Sequence, residues 1–194
     1  MSFPIERHAR KYTYKDYLTW SDDERWELIN GMPYNMTPAP STKHQDVLGE
    51  LFTEFRVYLR DKSCRVFVAP FDVRLFAEND NDENVYNVVQ PDITVVCEKS
   101  KIDDKGCKGS PDLIVEVLSP ATAKKDKNEK RKLYQQAKVK EYWIVDPLNE
   151  TVEVFMLKED GKFHDSETYS KEDQLKVGIF EDLTIDLKLI FKEG

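Results

Sequence analysis

The chain has 194 residues, 40% of them hydrophobic, and a formal net charge of -8. That length suits one domain with a buried core, and no apolar run approaches the ~20 residues of a membrane span. Taken alone, a pI of about 5.1 counts against a dedicated nucleic-acid binder.

Taken in chain order, Met1–Arg7 lacks the apolar stretch of a signal peptide. Thr13 is placed to cap a short helix through Tyr17 and Leu18. Trp26 to Met36 reads as two short strands around Asn30-Gly31, a hairpin-turn dipeptide, and a connector follows at 38–41. From His44 to Arg60, apolar residues fall at helical intervals (Val47, Leu48, Leu51, Phe52, Phe55, Tyr58, Leu59), which predicts a long amphipathic helix. Val66 to Phe76 is a strand bent near Pro70. The acidic loop 78–84 leads to a second strand, Val85 to Cys97, and the loop 98–110 to a third, Leu113 to Leu118. A charged helix spans about Lys124 to Lys138. Glu141 to Asp146 is a fourth core strand, and Val152–Leu157 with Phe163–Tyr169 forms a hairpin turning at Asp160-Gly161.

The order helix, three strands, helix, strand predicts an α/β fold with a mixed β-sheet flanked by helices. The expected division is 1–40 (N-terminal helix and hairpin), 41–147 (core) and 148–194 (C-terminal β extension) of one domain. The three cysteines, Cys64, Cys97 and Cys107, are odd in number, far apart and form no CxxC pair. They argue against a disulfide framework or structural zinc and predict a reducing cytoplasm.

Chemistry concentrates at Glu116, in the middle of the apolar run Leu113-Ile114-Val115-Glu116-Val117-Leu118. An unpaired buried charge costs several kcal/mol, comparable with the stability of a whole domain. Asp112, on the same strand, lies roughly 13 Å away at the usual rise per residue and marks the strand entry. Asp92 follows Pro91 at the start of Ile93-Thr94-Val95-Val96. If the two strands are neighbours, Asp92 and Glu116 are cross-strand partners about 5 Å apart, and a cation between them would relieve their repulsion. Hard oxygen ligands suit Mg2+ or Mn2+. On the charged helix, Lys130 is three and four positions before Leu133 and Tyr134, so its phase aims it at the sheet. Asp126 shares that phase. Two carboxylates, a divalent cation and an inward lysine are the parts of a metal-dependent phosphodiesterase.

Gln90-Pro91-Asp92, followed by Pro111-Asp112-Leu113-Ile114-Val115-Glu116-Val117-Leu118-Ser119-Pro120, resembles the PD-(D/E)xK nuclease signature, and the element order resembles the restriction-endonuclease core. More closely, the chain resembles the Uma-two family, catalogued as bacterial endonucleases. The matching stretches are Tyr14–Leu18, Trp26–Gly31, His44-Gln45, Pro70–Val73, the two segments above, Asp126 with Glu129-Lys130, and Glu141–Pro147. The resemblance implies a Mg2+-dependent endodeoxyribonuclease with Asp92, Glu116 and Lys130 catalytic, and Asp92 and Glu116 as metal ligands. One departure stands out. The wider signature puts its lysine two positions after the strand carboxylate, where this chain has Leu118; the family places it on the following helix, at Lys130.

Further candidates are Glu27, as a remote ligand or base or else a hairpin surface charge, and His44, as a site residue or else a helix-capping or packing one. Asp126 caps or pairs with Lys130, and Asp72 is a satisfied strand aspartate. Two accounts of the centre stay open: a metal site, or a buried ion pair between Glu116 and Lys130. The second belongs to a noncatalytic nucleic-acid-binding or protein-interaction module that retains the fold. A glycosidase with paired carboxylates would need neither cation nor inward lysine. The expected partners are DNA and, from the apolar hairpins at both ends, a second copy in a homodimer.

Overall fold

The computed structural model describes residues 10–20, 24–36, 41–77, 81–120 and 122–192. The expected connector at 38–40 and residues 78–80 of the acidic loop lie outside the described residues.

Three layers organise the chain. The first elements are α1 (Tyr14–Tyr17), β1 (Trp26–Ile29), β2 (Met32–Asn35), α2 (Thr42–Tyr58), β3 (Arg65–Val68), β4 (Val73–Arg74), β5 (Val88–Val89) and β6 (Ile93–Val96). Next come β7 (Ile102–Asp103), β8 (Gly106–Lys108) and β9 (Leu113–Val117). A continuous helix, α3 (123–136), contains a π-helical turn at Asp126–Lys130. The chain closes with β10 (Glu141–Asp146), β11 (Thr151–Met156), β12 (Glu167–Ser170), β13 (Gln174–Lys176), β14 (Thr184–Asp186) and α4 (Leu187–Ile190).

The central sheet has the order β12-β11-β10-β9-β6-β3. It is mixed, with β10 parallel to β9 and the other pairings antiparallel. The parallel pair needs a crossover, and α3 supplies it. Alternation along each strand divides the core in two. Val115, Val117, Trp143 and Val145 face α2, while Ile114, Tyr142 and Ile144 face α3. The second sheet, β2-β1-β5-β4-β8-β7, brings Ile29, Val73, Val89 and Cys107 into the α3-side cluster. Glu116 shares the phase of Ile114, so it points into the space closed by α3 and the second sheet.

Several expectations hold locally. Thr13 caps α1 with a full capping box to Asp16. Asn30 (φ 54°) and Gly31 (φ 77°) make the predicted turn, and the predicted long helix forms over Thr42–Tyr58, with Ser41, read as part of the connector, as its cap. The sequence α2, β3, β6, β9, α3, β10 reproduces the predicted core order.

Three readings need correction. The first two predicted strands are each split between the two sheets: Val66–Phe76 into β3 and β4, and Val85–Cys97 into β5 and β6. Pro70 and Pro91 interrupt them, because proline has no N–H for a ladder. The loop 98–110 carries its own hairpin, β7-β8. Finally, Cys64 and Cys97 are disulfide-bonded, with an S–S distance of 2.07 Å. The pairing Arg65↔Val96 sets them opposite each other across β3 and β6, a juxtaposition that sequence separation conceals. Cys107 is free and buried.

Candidate functional site

The register Ile93↔Val115 and Thr94↔Ile114, continued one residue, sets Asp92 opposite Glu116. Both residues lie where their strands meet the edge of the buried layer. Glu116 is buried, and its Oε1 accepts from Lys130 Nζ at 2.8 Å and from the Tyr134 hydroxyl at 2.6 Å. Both donors come from α3, four residues apart, and reach the sheet together.

Lys130 has a second carboxylate. Its Nζ lies 2.8 Å from Glu27 Oε1 and 3.7 Å from Asp126 Oδ1. Glu27 is fully buried; it also accepts from Lys125 Nζ at 2.7 Å and from the Gln90 backbone N–H at 3.1 Å. The alternative of a hairpin surface charge is therefore wrong for Glu27. β1 lies in the second sheet, and packing of that sheet over α3 carries Glu27 into the centre. Sequence spacing gave little weight to this residue. The signal available was an acid in an otherwise apolar strand, Trp-Glu-Leu-Ile.

Asp92 is the most open of the group. Its Oδ2 accepts from the Val117 N–H at 2.8 Å, and His44 Nε2 lies 3.6 Å away. His44 is buried on α2 and its Nε2 also contacts the Val117 carbonyl at 3.0 Å, which fixes the ring between helix and strand. The capping is done by Ser41, whose Oγ accepts from the His44 N–H. Asp126 is buried, and its Oδ1 has no hydrogen-bond partner. Its backbone carbonyl takes two donors, the Arg131 N–H of the π turn and the Tyr142 hydroxyl. Two candidates lie elsewhere. Asp72 is satisfied by Tyr14, Tyr17 and Gln90, and Asp112 by the Cys97 N–H and Lys140.

The electrostatics follow from this division. Burial pushes the Glu116 carboxyl up to about 8; Lys130 opposes that, while Asp126, Asp92 and Glu27 add to it. Glu27 is equally buried, but Lys130 and Lys125 overcome the burial and hold it at about 2. The shared lysine thus serves Glu27 more than Glu116, because Glu27 has a second lysine and a backbone donor. Burial also raises Asp126. Burial works against the charge on Lys130, but Glu116, Glu27 and Asp126 outweigh it and hold the ammonium well above its ordinary value. For His44, burial is likewise outweighed by Asp92 and the Val117 carbonyl, and its pKa rises.

Four carboxylates (Glu27, Asp92, Glu116, Asp126) therefore face two lysines and one histidine, and among the described residues Asp126 Oδ1 accepts no hydrogen bond, with Lys130 Nζ 3.7 Å away. Among the described residues no three acidic, histidine or cysteine side chains converge as a preformed metal cage. The donor set nonetheless fits Mg2+ or Mn2+, which are commonly bound through one or two carboxylates, with water and substrate oxygens completing the shell. Burial holds Glu116 up at about 8 and raises Asp126, and a cation beside these carboxylates would favour their charged forms.

Comparisons with known proteins agree with this architecture. A crystal structure from Anabaena variabilis, described as "a putative nuclease belonging to DUF820", superposes with a TM-score of 0.72 at 19% identity, covering 92% of this chain and 97% of that one. An uncharacterised protein of Synechocystis is 25% identical over 154 residues, 78% of this chain and 77% of its own length. The sequence profile of the Uma2 family, described as "Putative restriction endonuclease", matches residues 14–188. With nearly its whole length matched, this chain belongs to the Uma2 family.

Proposed function

We propose that the protein is a divalent-metal-dependent endonuclease acting on DNA. The observation that supports it best is the meeting of Asp92, Glu116 and Lys130, from β6, β9 and α3, in one charge-imbalanced pocket. In this reading Asp92 and Glu116 hold Mg2+ or Mn2+. When bound, the ion would polarise a phosphate oxygen and lower the pKa of a coordinated water. The protein's own groups do the rest. Lys130 sets an ammonium beside the carboxylates, where charge builds on a phosphate under attack. Glu27, braced by Lys125 and Gln90, keeps that ammonium in place. His44 orients Asp92. Tyr134 fixes one oxygen of Glu116, leaving the other available. The homodimer expected from the terminal hairpins belongs to this reading and is read by sedimentation.

The test is cleavage of plasmid, linear, branched and single-stranded DNA with and without Mg2+ or Mn2+. Activity should require the ion and should be lost in Glu116→Gln and Asp92→Asn. Equal activity in wild type and Glu116→Gln would overturn the assignment. A second reading, a noncatalytic binding module, draws on the closed Glu27–Lys130–Glu116 bridge, which satisfies the lysine without substrate. Stoichiometric Mg2+ binding that depends on Asp92 counts against it.

A further inference from the structure

Beside the carboxylates stands a feature that the reading above does not use. Phe67 and Phe71 stack with ring centroids 4.1 Å apart and planes within 3° of parallel. The Arg65 guanidinium lies over Phe67, with Cζ 4.9 Å from its centroid. Three flat groups thus form one pile. β3 is the edge strand of the central sheet. Phe67 pairs with Thr94, which pairs with Ile114, so by the two-residue alternation Phe67 faces the same side as Glu116. The Ala69 N–H bonds the Asp92 carbonyl at 3.1 Å, tying this edge to the site. Two strand spacings and two residue rises put Phe67 roughly 12 Å from Glu116, a few nucleotides away.

Stacked pairs also occur inside the core, as Tyr142 on Phe155 at 24°, so it is the place of the Phe67–Phe71 pair at the sheet edge that sets it apart. The Phe67–Phe71 pair is parallel, only partly buried and flanked by an exposed arginine. Charge supplies a second argument. A protein of net charge -8 gains little from counterion release over a long duplex footprint, whereas a short single-stranded site releases fewer counterions per phosphate and draws part of its affinity from base stacking on aromatic rings and guanidinium planes. We infer that the substrate is DNA with unpaired bases, and that Arg65, Phe67 and Phe71 form the platform on which a base beside the cleavage site stacks.

This rests on the nuclease reading for its substrate, but its test is separate. Binding is measured by fluorescence anisotropy in the Glu116→Gln background, with a thymidine oligonucleotide carrying one 2-aminopurine and with a duplex of equal length. The single strand should bind more tightly than the duplex, and 2-aminopurine emission should be quenched on binding. Phe67→Leu and Phe71→Leu should weaken single-strand binding about tenfold, abolish the quench and leave duplex binding unchanged. Replacing the stacked nucleotide by an abasic one should remove the difference between parent and Leu variants. Because a Leu variant may lose its fold, Arg65→Met provides a surface change with the same expected direction and a smaller fold-change; urea midpoints report folding for all three. Equal single-strand affinity in folded variants, or equal loss on single strand and duplex, overturns the platform. Cleavage by the wild type with no preference for unpaired DNA overturns this inference and keeps the nuclease; stacking without any cleavage does the reverse.

Discussion

Replacing Lys130 by methionine keeps most of the side chain and deletes the ammonium shared by two buried carboxylates, each 2.8 Å from it. Removing one partner of a buried pair costs about 3–5 kcal/mol, because the other charge is left without compensation. The loss should fall unevenly. Glu27 retains Lys125 at 2.7 Å and the Gln90 N–H, whereas Glu116 retains only the Tyr134 hydroxyl. Glu116 will escape by taking a proton, and this gives the effect its pH dependence. With Lys130 present, the Glu116 carboxyl already sits at about 8 against an ordinary 4.5. A folded pKa above the unfolded one means stability that is complete below pH 4.5 and falls as pH rises through 8. Without the lysine the folded pKa rises further, so the fall extends to higher pH at the same limiting slope of about 1.4 kcal/mol per pH unit. Glu27 runs the other way: held at about 2, it contributes above pH 4.5 and loses that contribution as pH drops toward 2. Urea unfolding of Lys130→Met should therefore show a penalty of about 3 kcal/mol that is nearly flat from pH 5 to pH 8 and grows by up to about 1.4 kcal/mol per pH unit above that, reaching about 4 kcal/mol by pH 9, or about 10 °C in Tm for a chain of this size. Adding Glu116→Gln, which keeps an acceptor for Tyr134 and removes the charge, should restore about 2 kcal/mol or more. A penalty independent of pH, one under 1 kcal/mol at pH 9, or no rescue by Glu116→Gln would refute the charge-sharing account.

Other perturbations probe the frame around the site. Tyr134→Phe removes the 2.6 Å donor to Glu116 and should cost about 1–2 kcal/mol in urea unfolding; an unchanged midpoint would contradict the contact. Glu141 is fully buried in β10 and accepts from the Trp143 indole and from the Gly178 and Ile179 N–H groups. Glu141→Leu strands these three donors and should cost at least ~3 kcal/mol, while Glu141→Gln should cost less than half of that. Gly106 has φ 120°, and a Cβ there would lie 2.2 Å from the Asp72 carbonyl oxygen, so Gly106→Ala should destabilise by about 2–3 kcal/mol; a thermal midpoint within 2 °C of wild type would show the backbone can yield.

How much of this was legible in the sequence depends on whether a local period determines the outcome. Glu116 stands out because an apolar run has no solvent-facing phase, and Lys130 because Leu133 and Tyr134 follow it in the α-helical part after the π turn, where the 3.6-residue period holds. The cross-strand position of Asp92 needed one further assumption, that β6 and β9 are neighbours, which the observed register meets. Glu27 escaped because its burial is decided by a second sheet folding over α3, and its lysines lie about a hundred residues downstream. Cys64 and Cys97 escaped for the same reason: their distance is set by strand pairing. Pro70 and Pro91 were read as a bend and a strand start, yet each marks the passage of the chain from one sheet to the other, a choice that local sequence does not encode.

The displaced lysine ties these points together. A lysine on the strand, at position 118, would be held by the sheet itself. On α3 it stands at the end of a flexible four-carbon stem and needs an anchor to stay at the carboxylates. Glu27 is that anchor: it binds Lys130 through one oxygen and Lys125 through the other. Leu118, where the wider signature has its lysine, instead packs in the α3-side core with Leu133 and Tyr134. Moving the lysine to the helix therefore brings in a third carboxylate, and Asp126 on the same helix face adds a fourth. That leaves the pocket more acidic than the strand arrangement would. On the proposed nuclease reading, an anionic phosphate would be repelled by such a pocket until positive charge enters it, so the same arrangement that frees position 118 for the core would make the site more dependent on a cation.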